Sequence, residues 1–294
     1  MMSPSPLPPI GSAAVAVRQF RSADGARLAV SPHGGTICQW WSADGRERLY
    51  LSPANPWHPQ DPIRGGVPVI FPQFAGRGPL PKHGFARSAA WTIAEEGTDA
   101  DGGGRVVMTM GDTAETRALW PHSFRLELTA GFQGNRLSVA LAVRNTGEDA
   151  FTFTAALHSY CRADAATDRI TGLEGLAVID SAAGGRQGRS ADEPIRLDAS
   201  MDRIFLGVPG PITLERPDGR LRVEQQGFAD AVVWKPAPDE RLPALPPDGH
   251  RHFICIEAAA IGQPVTLAPA ARWTGTQRFQ VLDRPPEAAP GATP

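Results

Sequence analysis

Residues 151–160 read FTFTAALHSY, and the alternation within this stretch decides the predicted fold. Phe151, Phe153 and Leu157 fall on one set of alternate positions, while the intervening set is less apolar and reaches His158. Successive side chains of a β-strand point to opposite faces of a sheet. The pattern therefore predicts a strand with one core face and a second, milder face that ends in a histidine.

The same short alternating pattern returns along most of the chain, with turn signals such as PDG (217–219) between its occurrences. We predict further strands at VAVRQF (15–20), RLAVSP (27–32), TICQWW (36–41), RVVMTM (105–110), FRLELTAGF (124–132), RLSVALAVRN (136–145), LAVID (176–180), ITLERP (212–217), LRVEQQ (221–226), AVVWKP (231–236), HFICIEAA (252–259) and PVTLAP (264–269). Helices are predicted only at 112–120 and 197–205. Many short strands with few helical windows indicate an all-β sandwich or barrel.

Composition limits the classes of protein to consider. The chain has 294 residues, of which 41% are hydrophobic and 20% charged, and its formal net charge is −2. This is a folded globular composition that indicates neither a nucleic-acid nor a membrane partner. The sequence has no secretory signal and no apolar run of membrane-spanning length. We predict one domain over residues 12–284, with disordered tails at 1–11 and 285–294.

The cysteine and histidine patterns predict neither a disulfide framework nor a metal site. Cys38, Cys161 and Cys255 are odd in number and lie in strand-like runs, which indicates buried free thiols in a reducing cytosol. His250 and His252 form an H-x-H at a strand edge, but no third ligand follows at a suitable spacing. No cofactor motif is found either, so we expect no metal and no cofactor.

Residues 252–259, HFICIEAA, place a carboxylate among apolar neighbours. Ile254 and Ile256 face one way, whereas Glu257 shares the other face with Phe253 and a cysteine. An unpaired buried charge is costly, so this carboxylate is paired, protonated or lines a cavity. Together with the strand histidine it supplies the minimum pair for general acid–base chemistry. The sequence alone leaves open whether the two side chains meet.

Residues 63–91 read IRGGVPVIFPQFAGRGPLPKHGFARSAAW and have almost no periodicity. Their prolines fix φ and their glycines permit tight turns and close backbone approach. We interpret this stretch as a stiff loop that aims Arg64, Gln73, Arg77, His83 and Arg87 into a site, or else as a structural crossover between sheets. Guanidinium groups match phosphate or carboxylate oxygens, so the arginines are candidates for holding an anion.

Several of these motifs carry a family resemblance. The stretches are RGGVPVIFPQF (64–74), GPLPKHGFAR (78–87), LHSY (157–160), MDRIF (201–205), VVWKP (232–236), ICIEAA (254–259) and PVTLAP (264–269), in that order. They resemble the D-hexose-6-phosphate mutarotases, or glucose-6-phosphate 1-epimerases, of the aldose 1-epimerase family, over nearly the whole chain. The resemblance implies a galactose-mutarotase-like fold, which is a large twisted antiparallel β-sandwich, and that agrees with the strand pattern.

The resemblance also implies roles for individual positions. Glu257 matches the catalytic base, His158 the catalytic acid, His83 a second site histidine, Asp202 a ligand of sugar hydroxyls, Arg64 and Arg87 the arginines that hold a 6-phosphate, and Gln73 and Trp234 residues of the pocket wall. Three features depart from the family pattern: Lys82, Lys235 and the proline-rich segment 236–247, which looks longer than usual. The lysines either favour a phosphorylated sugar or are surface changes.

The implied function is interconversion of the α and β anomers of a hexose 6-phosphate, with glucose 6-phosphate as the expected substrate, by a cytoplasmic monomer. We expect a raised pKa for Glu257 and a protonated His158 at the start of turnover. Two alternatives stay open at this point. One is a non-catalytic sandwich that binds a sugar phosphate, and the other is an aldose 1-epimerase for unphosphorylated sugars.

Overall fold

A computed structural model of the chain describes residues 11–12 and 14–283. The predicted tails at 1–11 and 285–294 lie outside the described residues, apart from residue 11. In the described part, no helix is long and apolar enough to cross a membrane.

Strands are the main regular structure of the described residues. The strands are β1 Arg18–Arg21, β2 Arg27–Ser31, β3 Thr36–Trp41, β4 Val69–Ile70, β5 Thr92–Thr98, β6 Gly104–Gly111, β7 Phe124–Gln133, β8 Arg136–Asn145, β9 Phe151–Leu157, β10 Tyr160–Arg162, β11 Arg169–Thr171, β12 Ala177–Asp180, β13 Arg186–Arg189, β14 Ile195–Arg196, β15 Met201–Phe205, β16 Ile212–Arg216, β17 Gly219–Gln226, β18 Asp230–Lys235, β19 Phe253–Leu267 and β20 Arg272–Asp283. One α-helix, α1, spans Ala114–Leu119, and 3₁₀ turns span Ala86–Ser88 and Gly249–Arg251.

Two large sheets make up the sandwich, and their paired strands are antiparallel. The eight-stranded sheet has the order β13-β12-β15-β18-β19-β9-β4, with β10 also paired to β19. The nine-stranded sheet has the order β14-β11-β16-β17-β20-β8-β7-β6-β5. A smaller sheet, β1-β2-β3, completes the fold. The predicted all-β antiparallel sandwich is therefore confirmed.

The main core lies between the two large sheets. Ile254 and Ile256 of β19 pack there with Phe153 of β9, opposite Val139 of β8 and Phe279 of β20. The alternate side chains of β19 and β9 point to the other face of the eight-stranded sheet, as the alternation of both stretches predicted. That second face carries the histidine and the carboxylate singled out in the sequence.

One of the two helix predictions is confirmed and the other is wrong. The stretch 112–120 contains the helix Ala114–Leu119, whose N-terminus is capped by Thr113. The stretch 197–205 instead contains the strand Met201–Phe205, which pairs with β12 on one side and β18 on the other. Its apolar residues recur at helical spacing, but hydrogen bonding to two neighbouring strands outweighs that weak local preference.

The loop of residues 63–91 runs along the edge of the eight-stranded sheet beside His158. Its short strand β4 pairs with β9, and the His158 amide donates to the Pro68 carbonyl at 3.0 Å. Phe71 is fully buried in the main core and anchors the loop. A Cβ on Gly84, where φ is +66°, would lie 2.2 Å from the Phe71 oxygen, so only glycine fits there.

The three cysteines behave as predicted. Cys38, Cys161 and Cys255 are buried and free. Burial raises the pKa of each thiol. These thiols therefore pack as small apolar groups and are poor nucleophiles.

Candidate active site

Glu257 and His158 meet on the face of the eight-stranded sheet that points away from the main core. Glu257 lies on β19. His158 lies between β9 and β10, two strands that both pair with β19 and do so in the same register. His158 Nε2 is 3.3 Å from Glu257 Oε1. Both side chains are buried, with Glu257 1% and His158 7% exposed. The carboxylate that stands out in the sequence is thus paired with the strand histidine.

Each member of this pair keeps one polar atom free. Glu257 Oε2 and His158 Nδ1 are buried and have no hydrogen-bond partner among the described residues. Buried polar atoms in a folded protein are nearly always satisfied, so two unsatisfied atoms in contacting side chains mark a place where a ligand is expected. Burial, and then the nearby charge of Asp202, raises the pKa of Glu257 well above its usual value, as expected.

The surroundings of His158 oppose the expectation that it is protonated before substrate binds. Burial lowers its pKa well below the usual value, and the neighbouring His83, Arg87 and Arg64 lower it further. The raised pKa of Glu257 and the lowered pKa of His158 both favour the uncharged forms of the two side chains. The imidazolium form requires additional negative charge nearby.

His83 is held in an uncommon backbone conformation next to this pair. Its φ is +71°, and its ring centroid lies 5.7 Å from that of His158. The Ala75 amide donates to His83 Nδ1 at 3.3 Å. Burial and the charge of Arg87 lower the pKa of His83 to about 3. His83 is therefore neutral with its proton on Nε2, which makes it a hydrogen-bond donor.

Arg64 and Arg87 lie close to the pair, and neither has a carboxylate partner among the described residues. Arg64 donates to the Tyr160 hydroxyl and to the Pro243 carbonyl, each at 3.3 Å. Arg87 donates to the Lys82 carbonyl at 3.1 Å. Burial, with the neighbouring Arg64, lowers the pKa of Arg87. Two half-buried cations without an anion form a ready site for an anionic ligand.

Other half-buried arginines of this chain show the contrast. Arg48 pairs with Asp44 at 2.5 Å, and Arg216 lies 3.8 Å from the carboxylate of Asp168. A nearby carboxylate thus offsets the charge of each of these two arginines. Arg64 and Arg87 lack such a carboxylate partner among the described residues, and both lie beside His158.

Asp202 and Trp234 lie in a row that crosses the sheet. Asp202 on β15 is opposite Trp234 on β18, Trp234 is opposite Cys255 on β19, and Cys255 is opposite Tyr160 on β10. Residues directly opposite in paired strands project to the same face. The Trp234 and His158 ring centroids are 5.8 Å apart, so the predicted tryptophan adjoins the acid–base pair.

Burial raises the pKa of Asp202, whereas the neighbouring Lys82 and Arg77 lower it. Its charge also affects Glu257, which places its carboxylate at the same site. The structure thus brings together the predicted carboxylates, histidines, arginines and tryptophan at one face of the eight-stranded sheet, where the loop of residues 63–91 supplies His83 and the two arginines.

Gln73 serves the loop itself. Its side-chain nitrogen donates to the carbonyls of Ala75 and Leu80 at 3.1 and 3.0 Å, and its oxygen accepts the Leu80 amide at 3.0 Å. A carboxamide that uses both ends on backbone groups has little capacity left for a sugar. Gln73 is buried and stabilises the turn that presents His83.

The two lysines that depart from the family pattern lie in different places. Lys82 is exposed at the rim, and its charge lowers the pKa of Asp202. Lys235 is only 2% exposed and follows Trp234 on β18, so it points to the opposite face of the strand. Burial lowers the pKa of Lys235. Only Lys82 is therefore placed to act on a bound substrate.

Tyr160 was missed as a site residue by the sequence reasoning. Its ring stacks on His158 with centroids 4.9 Å apart and an interplanar angle of 14°, and its hydroxyl accepts from Arg64. Tyr160 follows His158 by two positions, and alternation places both side chains on one face. The spacing of two positions was the signal available in the sequence. Through its contacts with Arg64 and His158, Tyr160 links the candidate anion site to the acid–base pair.

No cluster of three or more metal-ligating side chains is found among the residues that the structure describes. His250 belongs to the 3₁₀ turn Gly249–Arg251, and His252 follows that turn. Their predicted position on a strand edge is wrong, because β19 begins only at Phe253.

Comparison with known proteins identifies the family of this chain. Residues 18–280 match the family model described as aldose 1-epimerase. The chain is therefore an epimerase, an isomerase that belongs to the aldose 1-epimerase family. It is 31% identical over 257 residues to a "putative glucose-6-phosphate 1-epimerase" of Cenchrus ciliaris, covering 83% of this chain and 78% of that protein. A protein of Escherichia coli K12 with the same description is 32% identical over 235 residues, covering 77% of each chain.

Solved structures share the fold. A crystal structure described as a putative mutarotase from Salmonella typhimurium superimposes with a TM-score of 0.82 and 24% identity, covering 95% of this chain and 97% of that chain. A galactose mutarotase-like protein from Clostridium acetobutylicum gives a TM-score of 0.72 and 14% identity, covering 91% and 95%. The galactose-mutarotase-like fold implied by the sequence resemblance is thus confirmed.

Proposed function

We propose that this epimerase interconverts the α and β anomers of a hexose 6-phosphate, with glucose 6-phosphate as its substrate. The observation that carries the proposal is the position of Arg64 and Arg87, two half-buried cations with no carboxylate partner among the described residues, beside an acid–base pair. A phosphate group satisfies both guanidinium groups, whereas an unphosphorylated sugar leaves two cations unpaired. The descriptions of the two relatives point to the same substrate.

The chemistry is ring opening and closure at C1. Glu257, as the carboxylate, takes the proton of the C1 hydroxyl while the His158 imidazolium gives a proton to the ring oxygen. The bond between C1 and the ring oxygen breaks and the open aldehyde forms. Rotation about the C1–C2 bond then presents the other face of the aldehyde. Closure returns each proton to the group that supplied it, so the reaction needs no net transfer of protons or electrons.

The 3.3 Å separation of Glu257 Oε1 and His158 Nε2 suits this chemistry. The hydroxyl oxygen and the ring oxygen are bonded to the same carbon, so one base and one acid a few ångströms apart reach both atoms without moving the sugar. The free Glu257 Oε2 and His158 Nδ1 leave each group a second site for proton exchange.

Substrate binding supplies the charge that the catalytic form of the pair requires. Arg64 and Arg87 both lower the pKa of His158 in the empty site. A bound phosphate dianion offsets these two positive charges and raises the pKa of His158. The proposal therefore couples phosphate recognition to protonation of the acid.

The remaining groups hold the sugar during rotation. His83 donates a hydrogen bond from Nε2, Asp202 accepts from hydroxyl groups, and Trp234 and Tyr160 form walls beside His158. The phosphate stays fixed while C1 opens, which keeps the reacting atoms within reach of the pair. All these side chains come from one chain, so we propose that the monomer is active.

The test compares two substrates at equal concentration by two-dimensional exchange NMR of their anomeric protons. We expect kcat/KM for glucose 6-phosphate to exceed that for glucose by at least about 100-fold, since two charge-assisted hydrogen bonds are lost with the phosphate. Equal acceleration of both sugars would replace this proposal with an epimerase for free sugars. Binding of glucose 6-phosphate without acceleration would indicate that the site only binds it.

A further inference from the structure

The backbone pairing along β19 is irregular at the acid–base pair. β19 pairs with β9 up to Leu157 and with β10 from Tyr160, and residues 158–159 between them belong to neither strand. The Ser159 amide donates to the Leu157 carbonyl at 2.9 Å instead of crossing to β19. The backbone is therefore kinked where His158 leaves it.

This kink leaves one ladder hydrogen bond unmade. The Ile256 amide donates to the Ser159 carbonyl at 3.1 Å, so the two residues are opposite each other. In a regular antiparallel pair the Ser159 amide would donate to the Ile256 carbonyl in return. Because that amide turns back on its own strand, the Ile256 carbonyl needs another donor in the middle of the sandwich.

Gln277 of β20 supplies the missing donor from the opposite sheet. Its Nε2 donates to the Ile256 carbonyl at 2.9 Å, and its Oε1 accepts from the Ser159 hydroxyl at 2.6 Å. Gln277, Ser159 and Ile256 are each 0% exposed. A buried carboxamide is costly unless its donor and acceptor are both used, and here both are used on the two residues that neighbour the catalytic pair.

We propose that Gln277 is a positioning residue for the acid–base pair: by holding Ile256 and Ser159 together it sets the separation of Glu257 and His158. Glu257 directly follows Ile256, and His158 directly precedes Ser159. A side chain of the nine-stranded sheet thereby controls the geometry of a site on the far face of the eight-stranded sheet. The inference rests on the proposed function for its kinetic consequences.

The chain provides a matched control for a buried carboxamide. Asn145 is also fully buried, and its Nδ2 donates to the carbonyls of Leu267 on β19, at 3.0 Å, and of Asp149, at 2.9 Å. Like Gln277, Asn145 donates a hydrogen bond to a backbone carbonyl of β19. That carbonyl belongs to the last residue of the strand, far from Glu257. Replacement of Asn145 therefore tests the effect of a missing buried hydrogen bond without disturbing Glu257 and His158.

The experiment compares Gln277→Met with Asn145→Leu. We expect Gln277→Met to lower kcat for glucose 6-phosphate by about 10- to 100-fold, since ångström-scale misplacement of reacting groups has effects of that size. We expect KM to change by less than about 3-fold, because the phosphate contacts are untouched. Asn145→Leu is expected to lower the thermal midpoint and leave kcat within about 2-fold.

Two further variants keep the test decisive if Gln277→Met does not fold. Gln277→Glu with a protonated carboxyl offers the same acceptor and a donor, so we expect it to retain kcat within about 5-fold at pH ~6. Ser159→Ala removes only one of the two contacts and is expected to give a smaller loss of kcat. A kcat within about 2-fold of wild type in Gln277→Met, or in Ser159→Ala if Gln277→Met does not fold, would overturn the inference, as would an equal loss of kcat in Asn145→Leu.

An independent readout separates this inference from the proposed function. The imidazole proton resonances of His158, assigned by their absence in His158→Asn, should move in Gln277→Met and stay in place in Asn145→Leu. If wild type does not accelerate anomerisation, the proposed function fails, and these resonances alone decide the positioning role. Unmoved resonances in Gln277→Met would refute it whatever the activity.

Discussion

His158 and Glu257 face each other across neighbouring strands, with Nε2 3.3 Å from Oε1. Both are buried, and each retains one polar atom without a partner in the described part of the chain. The surroundings of both side chains disfavour their charged forms, because burial raises the pKa of Glu257 and lowers that of His158. The proposed mechanism requires the carboxylate and the imidazolium, so the charge of a bound phosphate is needed to form that state.

The two residues should behave as one catalytic unit. We expect Glu257→Gln and His158→Asn each to lower kcat for glucose 6-phosphate by about 100- to 10,000-fold, the usual contribution of a positioned acid or base. The double variant should lose little more than either single variant, because removal of one partner already disables the pair. Anomeric exchange rates of the four proteins measure this non-additivity.

Asp230→Asn is the matched control for a buried carboxylate on the same sheet. Asp230 accepts the amides of Ile261 and Gly262 at 3.0 and 2.7 Å, and has no contact with the acid–base pair. We expect this variant to lose stability but to keep kcat. Multiplicative losses in the double variant, or an equal loss in Asp230→Asn, would contradict the paired mechanism.

The sequence predicted the sandwich because most strands bury alternate side chains in one core. The strand Arg272–Asp283 was missed because Gly275 and Gln277 interrupt the set of alternate positions that is otherwise apolar. The strand Thr92–Thr98 was missed because it is an exposed edge with two glutamates. In both cases hydrogen bonding to a neighbouring strand decides the structure, and local composition does not report that pairing.

The candidate site was predictable to the extent that its residues lie in readable motifs. The alternation of apolar and polar residues was sufficient to assign His158 and Glu257 each to one face of a strand. It was not sufficient to show that the two side chains meet. Gln277 gave no signal, since a single glutamine in a strand is ordinary and its role depends on a kink in another sheet. Contacts between distant segments of this kind require the structure.

Arg64 and Arg87 should determine the preference for a phosphorylated sugar. We expect Arg64→Met and Arg87→Met each to raise KM for glucose 6-phosphate by about 10- to 100-fold, the loss of one charge-assisted hydrogen bond. The weak activity on free glucose should change much less. Initial rates over a range of concentrations of both sugars measure the two effects.

Arg105→Met serves as the control for those variants, since Arg105 is an arginine paired with Glu95 at 2.6 Å, on the edge of the nine-stranded sheet. It should leave KM unchanged. If the Arg64 and Arg87 variants lost activity on glucose as strongly as on its phosphate, these arginines would act on something other than the phosphate.

The pH dependence should reveal the coupling between phosphate and acid. Activity at high pH is lost when the pair gives up its shared proton. Bound phosphate offsets Arg64 and Arg87, which lower the pKa of His158 in the empty site, so the proton is held to higher pH. The basic limb of kcat, which reports the complex, should therefore lie at higher pH than the basic limb of kcat/KM, which reports the free enzyme. If the basic limbs of the two pH profiles coincided, bound phosphate would have no effect on the protonation of His158, and this part of the proposal would be wrong.

The loop that presents His83 should tolerate alanine at one glycine and not at another. Gly84 has a φ of +66° and would place a Cβ 2.2 Å from the Phe71 oxygen, whereas a Cβ on Gly76 would meet nothing within 4 Å. We expect Gly84→Ala to lower the free energy of unfolding by at least about 1–3 kcal/mol, the usual cost of a strained backbone position. Gly76→Ala should be neutral. Thermal or urea unfolding of both variants checks this, and equal stability would show that the loop is not held in this conformation.

The most direct test of the central claim is two-dimensional exchange NMR between the α and β anomeric protons of glucose 6-phosphate, with wild type and Glu257→Gln at matched concentrations. We predict exchange cross-peaks well above the uncatalysed rate with wild type, and a fall of about 100-fold or more with Glu257→Gln, whose binding of the sugar phosphate is retained. Exchange that is as fast with Glu257→Gln as with wild type would contradict the assignment of Glu257 as the base. Exchange no faster with wild type than in buffer would contradict the proposed reaction itself.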